Sequence, residues 1–331
     1  MPSQLQRFKM INFKKTLACG ALAMTSMLAA AFPTRPVTIV VPYAAGGSTD
    51  VLARVLAEAL TRDLGQAVIV ENVGGAGGTI GTTKVVRASN DGHTVLLHNM
   101  GIATAPALYN NLPFDVAKDL EPISLVGDVP MILVRSKDFA PTTVTDLIAQ
   151  MKAKPGHVKF SHAGIGATSH LCAMLITQTT GTTATMVPYR GTGPALQDLI
   201  AGNVDLICDQ PVATGPHIKS GALKAYAMAT KERIPTMPEV PTFAESGMPG
   251  FELAVWHGIY APKGTSAQKI QRLNTALRSV LRDPAVVKRF TDMGVTIPKA
   301  DRLQPQVLSA HTTTEISRWA SVIKAAGVKA E

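Results

Sequence analysis

The chain has 331 residues, 32 Lys and Arg against 23 Asp and Glu, 46% hydrophobic and 17% charged residues, and three cysteines. That length suits about two domains; the apolar fraction excludes a disordered chain, and so few cysteines exclude a miniprotein built on disulfides. No Lys/Arg stripe interleaved with aromatics, zinc-finger spacing or RNA-binding aromatic motif occurs, so nucleic acid is excluded as a partner and small anions remain.

Residues 1–31 read as a cleaved Sec signal peptide. Arg7, Lys9, Lys14 and Lys15 precede an uncharged run at 16–31 that ends in three alanines. Thr25 and Ser26 interrupt that run, which is shorter than the about 20 apolar residues of a membrane-spanning helix. Cys19 is not expected to carry lipid, because Thr16 stands where a lipobox has Leu. Met10 offers a second, more compact start. Cleavage before Phe32 removes four basic residues, leaving 28 against 23 and a net charge of +5 in an exported, periplasmic protein. Cys172 and Cys208 remain, and two buried thiols are expected rather than a bond, although the compartment permits one.

Strand-like and helix-like segments then alternate, the pattern of an α/β protein with mostly parallel sheets. Residues 37–41 (VTIVV) form a strand, 42–49 a turn cluster, and 50–64 a helix with Val51, Leu52, Val55, Leu56, Ala59, Leu60 and Leu64 on one face, stopped by Gly65. Strands at 68–70 and 94–97 lead into short helices near 80–88 and 103–109. A second set follows Pro130: a strand at 131–134, a helix started by Thr143 with Asp146, a strand at 158–161, the turn 162–168 and another helix. Strands at 186–189 and 204–208 flank a helix with Pro194 in its first turn. Residues 235–250 read as a long surface connection, and the tail from Ser266 is helical.

Two small-residue turns lie between a strand and a helix start, Gly46-Gly-Ser-Thr-Asp50 and Gly164-Ile-Gly-Ala-Thr-Ser169, one in each set. Helix N-termini carry unpaired N–H groups and about half a positive charge. Facing each other, the two turns could hold a carboxylate with the hydroxyls of Ser48, Thr49, Thr168 and Ser169; taken singly, each is also an ordinary tight turn with a Ser or Thr cap. Enzyme motifs are missing. Gly75-Ala-Gly77 has Ile80 where a dinucleotide fingerprint needs glycine, there is no phosphate loop and no nucleophile elbow, and His98, His162, His170 and His257 lack metal-ligand spacing. No catalytic residue, metal or cofactor is expected.

The runs at 36–50 (PVTIVVPYAAGGSTD), 70–81 (VENVGGAGGTIG), 91–94 (DGHT), 161–170 (SHAGIGATSH), 187–191 (VPYRG), 238–242 (PEVPT) and 256–265 (WHGIYAPKGT) resemble the substrate-binding proteins of tripartite tricarboxylate transporters, the Bug-type family. The resemblance spans nearly all of 32–331. It implies a periplasmic-binding-protein type II-like fold: two α/β lobes joined by two crossover segments with a ligand cleft between them. Domain 1 is then 32–124 with 256–331, and domain 2 is 125–255. The implied partners are a small organic carboxylate, aromatic or aliphatic, and the membrane permease subunits that receive it, with no chemistry. A monomer is expected.

Carried over by position, the resemblance puts the ligand between Tyr43, Ala45, Gly46, Gly47, Ser48, Thr49 and Asp50 on one side and Gly164, Gly166, Ala167, Thr168, Ser169 and His170 on the other, with Tyr189 and Asp209 as further cleft residues. Asp50 and His170 could instead cap or orient their loops. Tyr43 replaces the family's usual Phe, His93 its Tyr and Ser266 a frequent Pro. His98, Asn99 and His257 lie outside the fixed pattern and are candidates for ligand choice. A ring face and hydroxyl at Tyr43 lean toward an aromatic or dicarboxylic acid, terephthalate-like compounds among them, while aliphatic di- and tricarboxylates fit the same turns. The rival functions are an exported sensor that presents its closed form to a receptor and an exported α/β hydrolase.

Overall fold

The structure, a computed structural model, describes residues 32–325 and 327, so the signal peptide expected at 1–31 lies outside the described residues. In chain order the elements are β1 (Val37–Val41), α1 (Ser48–Leu64), β2 (Val68–Asn72), α2 (Thr79–Val86), β3 (Thr94–Asn99), α3 (Gly101–Leu108), α4 (Val116–Asp119) and β4 (Leu120–Pro130). There follow β5 (Ile132–Ser136), α5 (Val144–Ala153), β6 (Lys159–His162), α6 (Thr168–Thr180), β7 (Thr185–Pro188), α7 (Thr192–Ile200), β8 (Leu206–Asp209), α8 (Pro211–Lys219) and β9 (Leu223–Met228). The chain ends with β10 (Ala254–Pro262), α9 (Ala267–Val280), α10 (Pro284–Asp292) and α11 (Pro305–Ala325).

The strands make two five-stranded sheets of the same design, β2-β1-β3-β10-β4 and β7-β6-β8-β5-β9. Each has three parallel strands, then an antiparallel strand, β10 from far along the chain in the first and β5, which opens the second lobe, in the second. The chain crosses between sheets at Met131 and again between Met228 and Ala254, which gives the two α/β lobes and two crossovers. In an open sheet of this kind, ligands sit outside the carboxyl ends of the strands where the strand order reverses. That point lies between β1 and β3 in one lobe and between β6 and β8 in the other.

Apolar periodicity explains the best-defined elements. Ile39, Leu52 and Leu56 are fully buried on the α1 side of the first sheet, Val40 is buried on its other face with Met100 and Ile102, and Gly65 closes α1 in the left-handed conformation with φ 68°. Thr143 caps α5 by accepting from the Asp146 amide at 3.1 Å, while its hydroxyl donates to the Asp146 carboxylate at 2.7 Å. The helical tail returns to the first lobe. On α11, Leu308, Trp319 and Ile323 are buried, and Glu315 accepts from both Trp256 and Trp319 indole N–H groups at 3.3 and 3.0 Å.

Two expectations are corrected. Cys172 and Cys208 form a disulfide: α6 lies along β8 and brings their Cα atoms to 6.0 Å, within bridging range. Residues 235–250 are irregular but not a loose surface connection. Met237, Val240, Phe243 and Met248 are buried, and the backbone pairs with the end of β9, where Met228 donates to Pro241 O at 2.8 Å and accepts from Phe243 N–H at 3.0 Å. The segment covers the sheet edge that β9 would otherwise leave open.

Candidate ligand-binding cleft

Four helices start at the facing carboxyl ends of the two sheets, and their first residues line one cavity: Gly47, Ser48 and Thr49 of α1, Ala167 and Thr168 of α6, Thr192 of α7 and Gln210 at the start of α8. The caps are Gly47, Ala167, Gly191 and Gln210, and none makes a side-chain capping bond. Of the other helices, α4, α5 and α10 are capped by Asp115, Thr143 and Asp283, while α2, α3 and α9 also lack a side-chain cap. Uncapped first-turn N–H groups need an acceptor from elsewhere, and an anion supplies one.

Tyr43, Asn99, Ala163 and Asp209 complete the wall. Behind it runs a buried chain of hydrogen bonds. Tyr43 Oη donates to Asn99 Oδ1 at 3.1 Å, Asn99 Nδ2 donates to Thr49 Oγ1 at 3.3 Å, and Thr49 Oγ1 lies 3.4 Å from His257 Nε2. Burial pushes the Tyr43 hydroxyl well above its ordinary pKa and holds it as a donor. His98 sits one layer back, with Nδ1 accepting from the Asn99 amide at 2.8 Å. Burial lowers the imidazoles of His98 to about 3 and of His162 and His257 to about 4, which keeps them neutral.

Of the residues proposed from sequence, Tyr43, Gly47, Ser48, Thr49, Asn99, Ala167, Thr168 and Asp209 border the cavity. The others shape it from outside. Asp50 accepts from Gly46 N at 2.9 Å, Arg54 Nε at 3.0 Å and Asn72 Nδ2 at 3.0 Å, which fixes the first turn. Ser169 Oγ accepts from Ala163 N at 2.9 Å, and His170 Nδ1 from Gly166 N at 3.2 Å, which fixes the second. Tyr189 borders a separate outer groove and donates to Asp198. Ala45, Gly46, Gly164 and Gly166 belong to the contact between lobes.

Thr192 and Gln210 were not anticipated. Arg190-Gly-Thr-Gly-Pro194 after a strand repeats the small-residue pattern of the other two turns, and Pro211 after Gln210 marks a helix start. Both signals were present.

The lobes are shut on this cavity, whose volume of about 20 Å³ holds a water or two. One backbone and two side-chain donors bond to backbone carbonyls across the cleft. Ala44 N donates to Arg190 O at 3.0 Å, Thr104 Oγ1 to Gly166 O at 2.9 Å and Tyr109 Oη to Ile165 O at 2.8 Å. A Cβ at Gly193 would overlap the Ala45 carbonyl, and one at Gly77 the Ile165 carbonyl. Gly193→Ala is therefore expected to separate binding from folding. Alanine suits α7 better than glycine, so thermal stability without ligand holds or rises. Closure loses two or three hydrogen bonds of about 1 kcal/mol each, and ligand affinity falls by tens of fold. Calorimetry finding wild-type affinity in this variant would show that the lobes need not meet here.

Two α/β lobes shut on a cleft at both topological switch points are the architecture of a solute-binding protein. Residues 52–328 match the family described as "Tripartite tricarboxylate transporter family receptor", and the chain belongs to that family. Among solved structures, the periplasmic binding protein BugD is 43% identical, with a TM-score of 0.88 over 91% of this chain and 100% of its own. MatC from Rhodopseudomonas palustris, solved with bound malate, is 38% identical, with a TM-score of 0.85 over 88% of this chain and 100% of its own. The R. palustris protein Rpa4515, solved with adipate, is 34% identical, with a TM-score of 0.85 over 90% of this chain and 99% of its own. The family and these neighbours are substrate-binding proteins, not enzymes, and the family works in the periplasm with tripartite transporters.

Proposed function

We propose that this protein captures a small dicarboxylate in the periplasm by closing its lobes and delivers it to the membrane subunits of a tripartite tricarboxylate-type transporter. The observation that carries this is the convergence of four uncapped helix N-termini on one cavity. Malate and adipate in the two R. palustris relatives favour an aliphatic acid over a terephthalate-like one. The closing bodies are those expected from the sequence, 32–124 with 256–331 and 125–255, with the ends of β4 (125–130) and β10 (254–255) moved from the second body to the first, whose sheet they complete. The protein acts as a monomer, and residues 1–31 are removed on export.

A thermal-shift screen of malate, adipate, terephthalate and citrate tests the function. A ligand that binds only the folded state stabilises by about 2.7 kcal/mol at a hundredfold excess over Kd. In Ser48→Ala combined with Thr168→Ala, the loss of two hydroxyl donors to a charged group is worth about 3 kcal/mol, so every acid that shifts the wild type should bind roughly a hundredfold more weakly. An acid that stabilises the double variant as well as the wild type would place the ligand elsewhere.

A further inference from the structure

We propose that Asp209 sets the charge of the ligand, and that the cleft closes on a dicarboxylate dianion only with a proton on the Asp209 carboxyl. This rests on the carboxylate function proposed above and specifies the ionic form that the same cavity takes. Among the described residues, those that line the cavity include no Lys, Arg or His, and Asp209 is their one carboxylate. The positive charge facing a ligand then comes from four helix N-termini at about half a charge each, about +2 in all. A dianion matches it. A dianion beside an ionised Asp209 exceeds it by one negative charge in a site from which closure expels water.

The geometry around Asp209 fits a protonated carboxyl. Its side chain is 2% exposed, and neither its Oδ2 nor Gln210 Oε1, on the same cavity, has a hydrogen-bond partner. A proton on Oδ2 would give the ligand's second carboxylate a strong O–H donor and leave neither group unsatisfied.

The charged groups on the surrounding elements are engaged elsewhere. Asp50 and Arg54 of α1 pair with each other, His170 of α6 accepts from Gly166 and stacks on His162 of β6, and Asp198 of α7 accepts from Tyr189. Asp128 of β4 faces Arg302, while Arg135 of β5 binds backbone carbonyls beside Lys224 of β9, at the far end of that strand pair. His257 of β10 meets Thr49, and His217 and Lys219 lie in the last turn of α8, away from Asp209. Tyr43, in the same cavity, is held neutral by burial. Burial alone pushes the Asp209 carboxyl up to about 7, against the Thr192 hydroxyl, the Gln210 amide and the Ser48 hydroxyl.

The test is calorimetric titration of the full mature protein with malate and adipate at pH 8, in buffers of different ionisation enthalpy. The wild type should take up close to one proton per dianion, and its affinity should be about tenfold weaker at pH 8 than at pH 6. Asp209→Asn should take up none and lose that pH dependence. Dianion binding without proton uptake, or a pH dependence that survives in Asp209→Asn, overturns the assignment. If that variant does not fold, the wild-type proton count decides by itself. A protein that binds neither malate nor adipate but does bind monocarboxylates also overturns it, whereas one that binds no acid overturns the carboxylate function itself.

Discussion

Removing the Cys172–Cys208 bridge, by reduction or by Cys172→Ala with Cys208→Ala, is expected to lower stability by about 4 kcal/mol, the chain-entropy value for a closed loop of this size. The two cysteines are 36 residues apart in sequence, and both are fully buried. The loss also reaches the cleft. Cys172 lies one turn into α6, and Cys208 immediately precedes Asp209, so the bridge locks two of the four converging helix starts to each other. Urea unfolding with and without reductant measures the effect, with ligand affinity as the second readout. Equal midpoints in the two conditions would mean that packing alone holds α6 on β8.

Acid should destabilise the protein well before ordinary carboxylates titrate. His98, His162 and His257 have folded-state pKa values depressed by burial to about 3 to 4, against about 6.5 unfolded. A depressed histidine contributes stability that is complete above the unfolded value and is lost as pH falls through the window down to the folded one. At pH 5 each has lost about 2 kcal/mol, or about 6 kcal/mol for the three. Asp209 works the other way. Its raised value favours the folded state as it protonates, and between pH 7 and pH 5 it returns about 2 kcal/mol. The histidines win by about 3 to 4 kcal/mol at pH 5, and further below it, a large part of a typical folding free energy of about 5–15 kcal/mol. Melting temperatures across pH 7 to 4.5 report this directly. A flat profile would show that these imidazoles take up protons in the folded protein as readily as in the unfolded chain.

Much of this architecture was legible from the chain. The β1–α1 and β6–α6 units announce themselves through runs of buried apolar residues followed by glycine-rich turns, and those turns led to two of the four helix starts in the cleft. What stayed hidden depended on the tertiary setting. Strand β4 contains Pro122, Gly127 and Pro130, residues that argue against a central strand, and it is tolerated because it runs at the sheet edge. Strand β10 joins the first sheet from far along the chain, and local pattern does not show where a distant segment pairs. The disulfide was missed for a similar reason, since only the crossing of α6 over β8 brings the cysteines together. His98 and His257 were marked for ligand choice from their positions in sequence. In the fold a layer of hydroxyl and amide groups, Thr49 and Asn99, stands between them and the cavity.

In the proposed cleft the grip on a negative head group comes from main-chain amides in the first turns of α1, α6, α7 and α8, and an amide survives nearly every amino-acid replacement. The anchor is thus shielded from mutation, while Tyr43, Asn99, Asp209 and Gln210 around it remain free to vary. A lineage carrying this cleft can change its nutrient one wall residue at a time without passing through an ancestor that holds nothing.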